Sequence, residues 1–422
     1  MSLLDRITTA LPQGTAFVGA GTAVLGVASY VHLAAAGHSL AVDDMASFSV
    51  LWTVVFSIGL GLFFPVEQEI TRIVAGRAVR GDGALPVLRR GALLSLGLLA
   101  VVLIPLALFA HRLADVFFHG NTSLVLALGG AFTALAIAYV TRGVLAGLGR
   151  FQAYGTQLGL DGLLRVVLSG GLAVAGVHSA FAFAAVLTVA PLLAVLATIG
   201  PVFQGSRQGP PAHWRDLIEH LGLLVGSTLL AQLLVNIAVI STKLISTDND
   251  ALVAALLSAL VLARVPLFVF GAFQVSLLAG LSSAAAEGDT QGYRQLLLRA
   301  VSATGGLGVA GGIGAVALGP ALLPAVFGAP DVLKAIDFAW LSLGTTLYML
   351  AMVLGQALLT SGGARMQLMA WITGTAVLVA VTLSSLPLRT RVEVAYTAGS
   401  FVVVAFMTVV VHARVGYRSL RT

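Results

Sequence analysis

A chain of 422 residues with 58% apolar and only 9% charged residues cannot solvate the surfaces of two or three soluble domains. Its mean hydropathy of +1.01 makes lipid its main solvent. The absence of Cys excludes disulfides, thiolate metal sites and Cys nucleophiles, and a formal charge of +6 without a clustered basic block excludes a nucleic-acid surface.

The apolar runs are continuous and about 20 residues long, the length of a transmembrane helix and about twice the strand of an outer-membrane barrel. They predict an all-α integral membrane protein of twelve spans. Six lie near 15–37, 46–66, 91–110, 123–147, 160–177 and 180–201. Six more lie near 218–245, 251–284, 296–319, 333–360, 366–386 and 393–413. The first run reads as a retained helix, with Tyr30 and His32 as interfacial anchors near its outer end. Asp43 and Asp44 follow in a turn that caps the second helix. At the midpoint, the run Gly205-Ser206-Arg207-Gln208-Gly209-Pro210-Pro211 opens a cytoplasmic linker, 205–217. It separates an N-terminal six-helix lobe, 1–204, from a C-terminal six-helix lobe, 218–422. A shift of 215 residues lays Gly147-Leu148-Gly149-Arg150 on Gly362-Gly363-Ala364-Arg365. Six is an even number, so the lobes form a parallel repeat about an axis along the membrane normal.

Arg sets the orientation. With the N-terminus inside, 17 Arg fall on cytoplasmic segments and five basic residues on the outer side. That bias predicts both termini in the cytoplasm, in a bacterial inner membrane.

Polar groups inside apolar runs mark candidate sites. In Pro65-Val66-Glu67-Gln68-Glu69-Ile70-Thr71-Arg72, Glu69 and Arg72 are spaced to pair on one helical face. Two readings stand: a helix end emerging into water, or a cytoplasmic gate of Glu67, Glu69 and Arg72. The run Arg142-Gly143-Val144-Leu145-Ala146-Gly147-Leu148-Gly149-Arg150-Phe151-Gln152-Ala153-Tyr154-Gly155 follows, then Asp161 and Arg165. Its glycines permit a tight turn and close helix packing. Arg142 and Arg150 join the candidate gate. It is no phosphate loop, lacking both a preceding strand and Gly-Lys-Ser/Thr.

This Arg-Gly-x-Leu-x-Gly-x-Gly-Arg-Phe-x-x-Tyr-Gly run resembles the helix four–five region of bacterial polysaccharide flippases, members of the multidrug/oligosaccharidyl-lipid/polysaccharide (MOP) exporter superfamily. The runs at 65–72 and Gln356-Ala357-Leu358-Leu359 before Gly362-Gly363 resemble the same family. The resemblance implies two lobes around a central cavity, alternating access, and a polyprenyl-(di)phosphate-linked saccharide moved to the outer leaflet for cell-envelope polysaccharide synthesis. Lipid-linked saccharide, membrane lipids and envelope-synthesis enzymes are the partners it implies.

Cationic cavity residues meet the diphosphate in such flippases, and Arg264 is the cation deepest within a predicted span. Pro266 beside it removes an amide donor and can kink the helix. Gln232 and Asn236 share a face of the seventh helix and complete the candidate cavity set, although interhelical hydrogen bonds explain them too. No catalytic residue, metal site or cofactor is predicted, and the eight His form no ligand constellation. Two alternatives compete. A cation-coupled multidrug antiporter needs an intramembrane carboxylate, and the deep parts of the predicted helices show none. A polyprenyl-phosphate-sugar glycosyltransferase would need Asp43-Asp44 and long outer loops, which are absent.

Overall fold

The structure, a computed structural model, describes residues 15–245, 255–256, 259, 262–263, 265–327 and 332–418. It is all-helical, and among the described residues 11 helices are long and apolar enough to cross a membrane. They correspond to eleven of the twelve predicted spans. The eighth, 251–284, falls partly outside the described residues. The chain divides into two compact units, Met1–Val225 and Gly226–Thr422.

In the first unit α1 (Thr15–Ser39) packs along α7 (Phe151–Val174). The second span is α2 (Val42–Val54), a π-helical turn (Val55–Gly59) and α3 (Leu60–Val79) in one run. Pro65 lies inside α3, where it lacks the N–H that would bond the Gly61 carbonyl. After α4 (Leu85–Leu108) comes a short amphipathic helix, α5 (Ala110–Phe117). The central helix is α6 (Thr122–Gly147), which packs on α3, α4 and α8 (Ala180–Gly205). Its N-terminus is capped by Asn121, whose side chain accepts from the Ser123 amide at 3.1 Å. Phe48, Phe63, Phe132 and Phe183 fill the core between these helices. Segment 205–213 lies on this unit: Arg77 donates to the Pro210 carbonyl, and the Leu85 amide donates to the Arg207 carbonyl at 3.1 Å. Next, α9 (Trp214–Ile245) runs from the first unit into the second.

The second unit continues with α10 (Val265–Glu287), α11 (Thr290–Phe327), α12 (Ala335–Thr360), α13 (Ala364–Thr382) and α14 (Leu388–Arg418). Here α12 is central and packs on α10, α11 and α14, with Trp371 and Tyr396 fully buried beside it. The helices α6 and α12 are both 26 residues long. Gly149 and Gly362, which end the two helices, are left-handed at φ 68° and 75°. Their turns carry the same bonds: Gly149 to Ala146 and Arg150 to Leu145, Gly362 to Leu359 and Gly363 to Leu358. The repeat therefore holds at an offset of 213 residues, two fewer than the sequence match suggests, from Thr122 to Ala335 and from Phe151 to Ala364. Backbone geometry decides the register: glycine occupies the left-handed position that ends each helix.

Four expectations change. The second span does not end near 66 but continues as helix to Val79, with buried residues as far as Arg77, and the fifth starts at Phe151, not 160. Both extensions carry polar residues that face the interior of the unit, so average hydropathy hides them while the helix continues. Finally, His32 is no interfacial anchor. It is fully buried, its Nε2 lies 3.0 Å from the Phe183 carbonyl oxygen, and its ring packs edge-on to Phe48. Tyr30, two residues earlier, is 47% exposed. Asp43 and Asp44 fall within the first turn of α2, whose N-cap is Ala41, so neither occupies the cap position, and Asp44 complements the helix dipole.

Candidate functional site

The first unit holds a buried charged cluster built from α3, α6 and α7. Tyr154, Gln157, Asp161 and Arg165 lie three to four residues apart on α7, which puts them in one stripe on the same face. All four are under 5% exposed. Asp161 lies about 15 Å along the helix from Phe151, close to the middle of the span. Its carboxylate binds Arg165 twice, accepting from Nε at 2.8 Å and Nη2 at 3.2 Å. The same carboxylate accepts from Nη2 of Arg142 on α6 at 3.1 Å. Two guanidinium groups thus share one carboxylate.

The rest of the cluster closes around them. Glu67 of α3 is 2% exposed, and its Oε1 accepts from the Tyr154 hydroxyl at 2.8 Å. Arg142 also lies in the field of Glu67. Gln157 Nε2 donates to the Thr141 hydroxyl at 3.0 Å. Aromatic faces carry the cations: Arg142 sits 5.6 Å from the Tyr139 ring centre and Arg165 5.5 Å from that of Phe56. Phe56 belongs to the π-helical turn, which adds a residue to one turn and so re-aims the following side chains. Four buried atoms have no hydrogen-bond partner among the described residues: Glu67 Oε2, Arg142 Nε, Arg165 Nη1 and Gln157 Oε1. Unpaired polar atoms of this kind cost about 1–3 kcal/mol each.

Of the five candidate gate residues, the structure brings Glu67 and Arg142 into this cluster. Glu69 is fully buried beside it and ion-paired to Arg72, whose side chain is 27% exposed and also donates to the Asp216 carbonyl at 3.4 Å. This stretch is therefore not a helix end emerging into water. Arg150 lies elsewhere, donating from Nη1 to the Pro201 carbonyl at 3.0 Å and so tying the start of α7 to the end of α8. Of the cavity candidates, Gln232 is half-buried on α9. Asn236 is on the same helix, with a side chain outside the described residues, and Arg264 lies outside them altogether. The expectation that no helix carries a deep carboxylate is overturned by Asp161 and Glu67. Arg142 and Arg165 are interior residues rather than cytoplasmic ones, which reduces the Arg bias to 15 against five. Among the described residues no group of three or more His, Asp or Glu could hold a metal ion.

No family model matches the chain. It is 26% identical to an uncharacterized protein of Mycobacterium tuberculosis over 91% of this chain and 89% of that one. A second uncharacterized protein of the same organism is 25% identical over 96% and 94%. Among solved structures, a MATE transporter of Vibrio cholerae in the bent form matches with a TM-score of 0.83 at 15% identity, over 99% of this chain and 98% of that one. A multidrug-resistance MATE transporter of the MOP superfamily, in an outward-facing conformation, matches at 0.78 and 16% over 97% of each chain. A MOP superfamily transporter from Pyrococcus furiosus, described by a binding pocket of reversed polarity that suggests a different function, matches at 0.79 and 16% over 96% and 95%. The fold is that of these transporters.

Proposed function

We propose that the protein is a membrane transporter that moves a polyprenyl-(di)phosphate-linked saccharide from the cytoplasmic to the outer leaflet by alternating access. The observation that carries this reading is the pair of buried guanidinium groups, Arg142 and Arg165, sharing the single carboxylate of Asp161. Each keeps one buried N–H without a protein partner. Guanidinium N–H groups suit phosphate oxygens, which they can bind in pairs. They fall in the same stretch whose sequence resembles polysaccharide flippases. Depletion of the protein should cause a polyprenyl-linked saccharide to accumulate, detected by mass spectrometry of the lipid extract. An unchanged lipid pool would sink the reading.

Arg264 is the cargo-binding cation in this proposal. A charge-assisted contact contributes about 1.5–3 kcal/mol, so Arg264→Ala should lower flipping roughly ten- to a hundredfold, and Arg264→Lys should recover part of it. The assay is outer-leaflet appearance of the lipid-linked sugar, normalised to folded protein. Normal transport by Arg264→Ala at normal abundance removes Arg264 from the cargo site.

A second reading has one specific observation in its favour. Asp161 and Glu67 supply buried carboxylates of the kind a cation-coupled multidrug antiporter requires. It predicts drug sensitivity, with no change in polyprenyl-linked sugars, on depletion.

Transport direction follows from orientation, which we assign with both termini cytoplasmic from the remaining Arg bias. The natural chain is free of Cys, so single Cys probes need no background removal. Cys at Arg80 or Gln208 should resist an impermeant thiol reagent in intact cells, and Cys at Asp44 or Ala175 should react. The reverse pattern would invert the assignment.

A further inference from the structure

On the face of the first unit formed by α4, α6 and α8 lies an apolar groove of about 630 Å³. It is walled by Leu103 and Leu106 of α4, Val125 and Gly129 of α6, and Ala185 and Val189 of α8. Along α6 it runs from Thr122 to Thr133, roughly 16 Å of helix. That is about half of a ~30 Å hydrocarbon core, the depth of one leaflet. The Thr133 hydroxyl, on its wall, is already bonded to the Gly129 carbonyl at 2.9 Å, so it presents no unmet polar demand.

A second hollow of about 310 Å³ adjoins the groove and shares Leu106 with it. It is lined by Phe109, Arg112 and Val116 around the amphipathic helix α5. Arg112 is exposed and has no ion-pair partner among the described residues, although Asp115 is on the same short helix. An apolar channel one leaflet deep, meeting at Leu106 a hollow that carries an exposed guanidinium, matches a phosphate lipid in charge and shape, with chain and headgroup in adjoining pockets.

We propose that this groove holds the isoprenoid chain of a polyprenyl phosphate lipid in the outer leaflet, with its phosphate held by Arg112. The inference rests on the flippase reading and its orientation, and gives them a place where the carrier lipid stays docked after crossing. A chain docked here keeps the carrier at the transporter once its saccharide has been passed on and a monophosphate is left for Arg112 to hold.

The test uses the full-length protein in proteoliposomes with a polyprenyl monophosphate bearing a diazirine in its first isoprene units. Crosslinks should map to α4, α6 and α8. Ala185→Phe, which fills the groove at a half-buried position, should cut crosslinking about tenfold. Arg112→Gln, at an exposed position with no ion pair among the described residues, should cut it about tenfold for the monophosphate and leave the uncharged polyprenol unchanged. Tenfold excess phosphatidylglycerol should compete poorly. Equal competition by phosphatidylglycerol would make the groove an ordinary annular-lipid site and overturn the proposal, as would crosslinks confined to the second unit. Site-specific crosslinking together with absent sugar-lipid flipping would leave the docking site standing and count against the flippase reading. Flipping without groove crosslinks would do the reverse.

Discussion

Asp161→Ala should destabilise the first unit by about 3–5 kcal/mol, the cost of breaking a buried ion pair from one side. The substitution leaves Arg142 and Arg165, at 4% and 3% exposure, with no carboxylate between them. Against a total folding free energy of about 5–15 kcal/mol, that is enough to lower the melting temperature in detergent sharply and to reduce the amount of protein recovered. The double variant Asp161→Asn with Arg165→Gln removes one charge of each sign and leaves Arg142 opposite Glu67. It should recover a large part of the loss, because contacting residues in one network are strongly non-additive. An unchanged melting temperature in Asp161→Ala would show that the arginines have other counter-charges and that the cluster is not a unit. A double variant that folds well but no longer transports would assign the cluster to function.

Gly155→Leu should prevent α1 from docking on α7. A side chain at Gly155 would run into the Phe17 carbonyl, one at Gly21 would run into the Gly155 carbonyl, and one at Gly162 would lie 2.9 Å from the Leu25 Cα. In each case the obstacle is backbone, which cannot swing aside as a side chain does. Overpacking costs about 1–3 kcal/mol and occasionally more, and the backbone of Phe17 and Val18 in the path of any side chain at Gly155 puts this case at the upper end. Gly171→Ala on the same helix is the control, since a Cβ there meets nothing within 4 Å. It should be neutral, or stabilising by roughly 0.5–1 kcal/mol. Monodisperse yield and melting temperature separate the two. Equal behaviour of Gly155→Leu and Gly171→Ala would mean that α1 is only loosely held.

Hydropathy was sufficient to place the spans, because lipid demands long apolar segments whatever the neighbours are. It misplaced their polar ends for a physical reason. A window average treats Glu67, Glu69 and Gln157 as a departure from the membrane, whereas a helix can keep such residues inside the lobe if they pair there. The stripe at 154, 157, 161 and 165 was a legible signal, since those positions share a helical face. Its partners were not. Arg142 sits 19 residues before Asp161, and Glu67 is 87 residues before Tyr154. Nothing local in the chain says that they meet.

The sequence by itself determined the solvent, the helical class, the approximate spans and the Arg asymmetry, all of which depend on composition along one segment at a time. Only the tertiary structure decided which polar residues are buried. Burial of a charge is a property of its neighbours: Glu69, with no hydropathic mark to distinguish it from a solvated residue, is fully enclosed, while Arg72, three residues on, stays partly in contact with solvent. The same holds for the repeat. The sequence offered matching glycines at one offset, and the left-handed turns at Gly149 and Gly362 fixed another, because a positive φ is a demand of the folded backbone that no residue count contains.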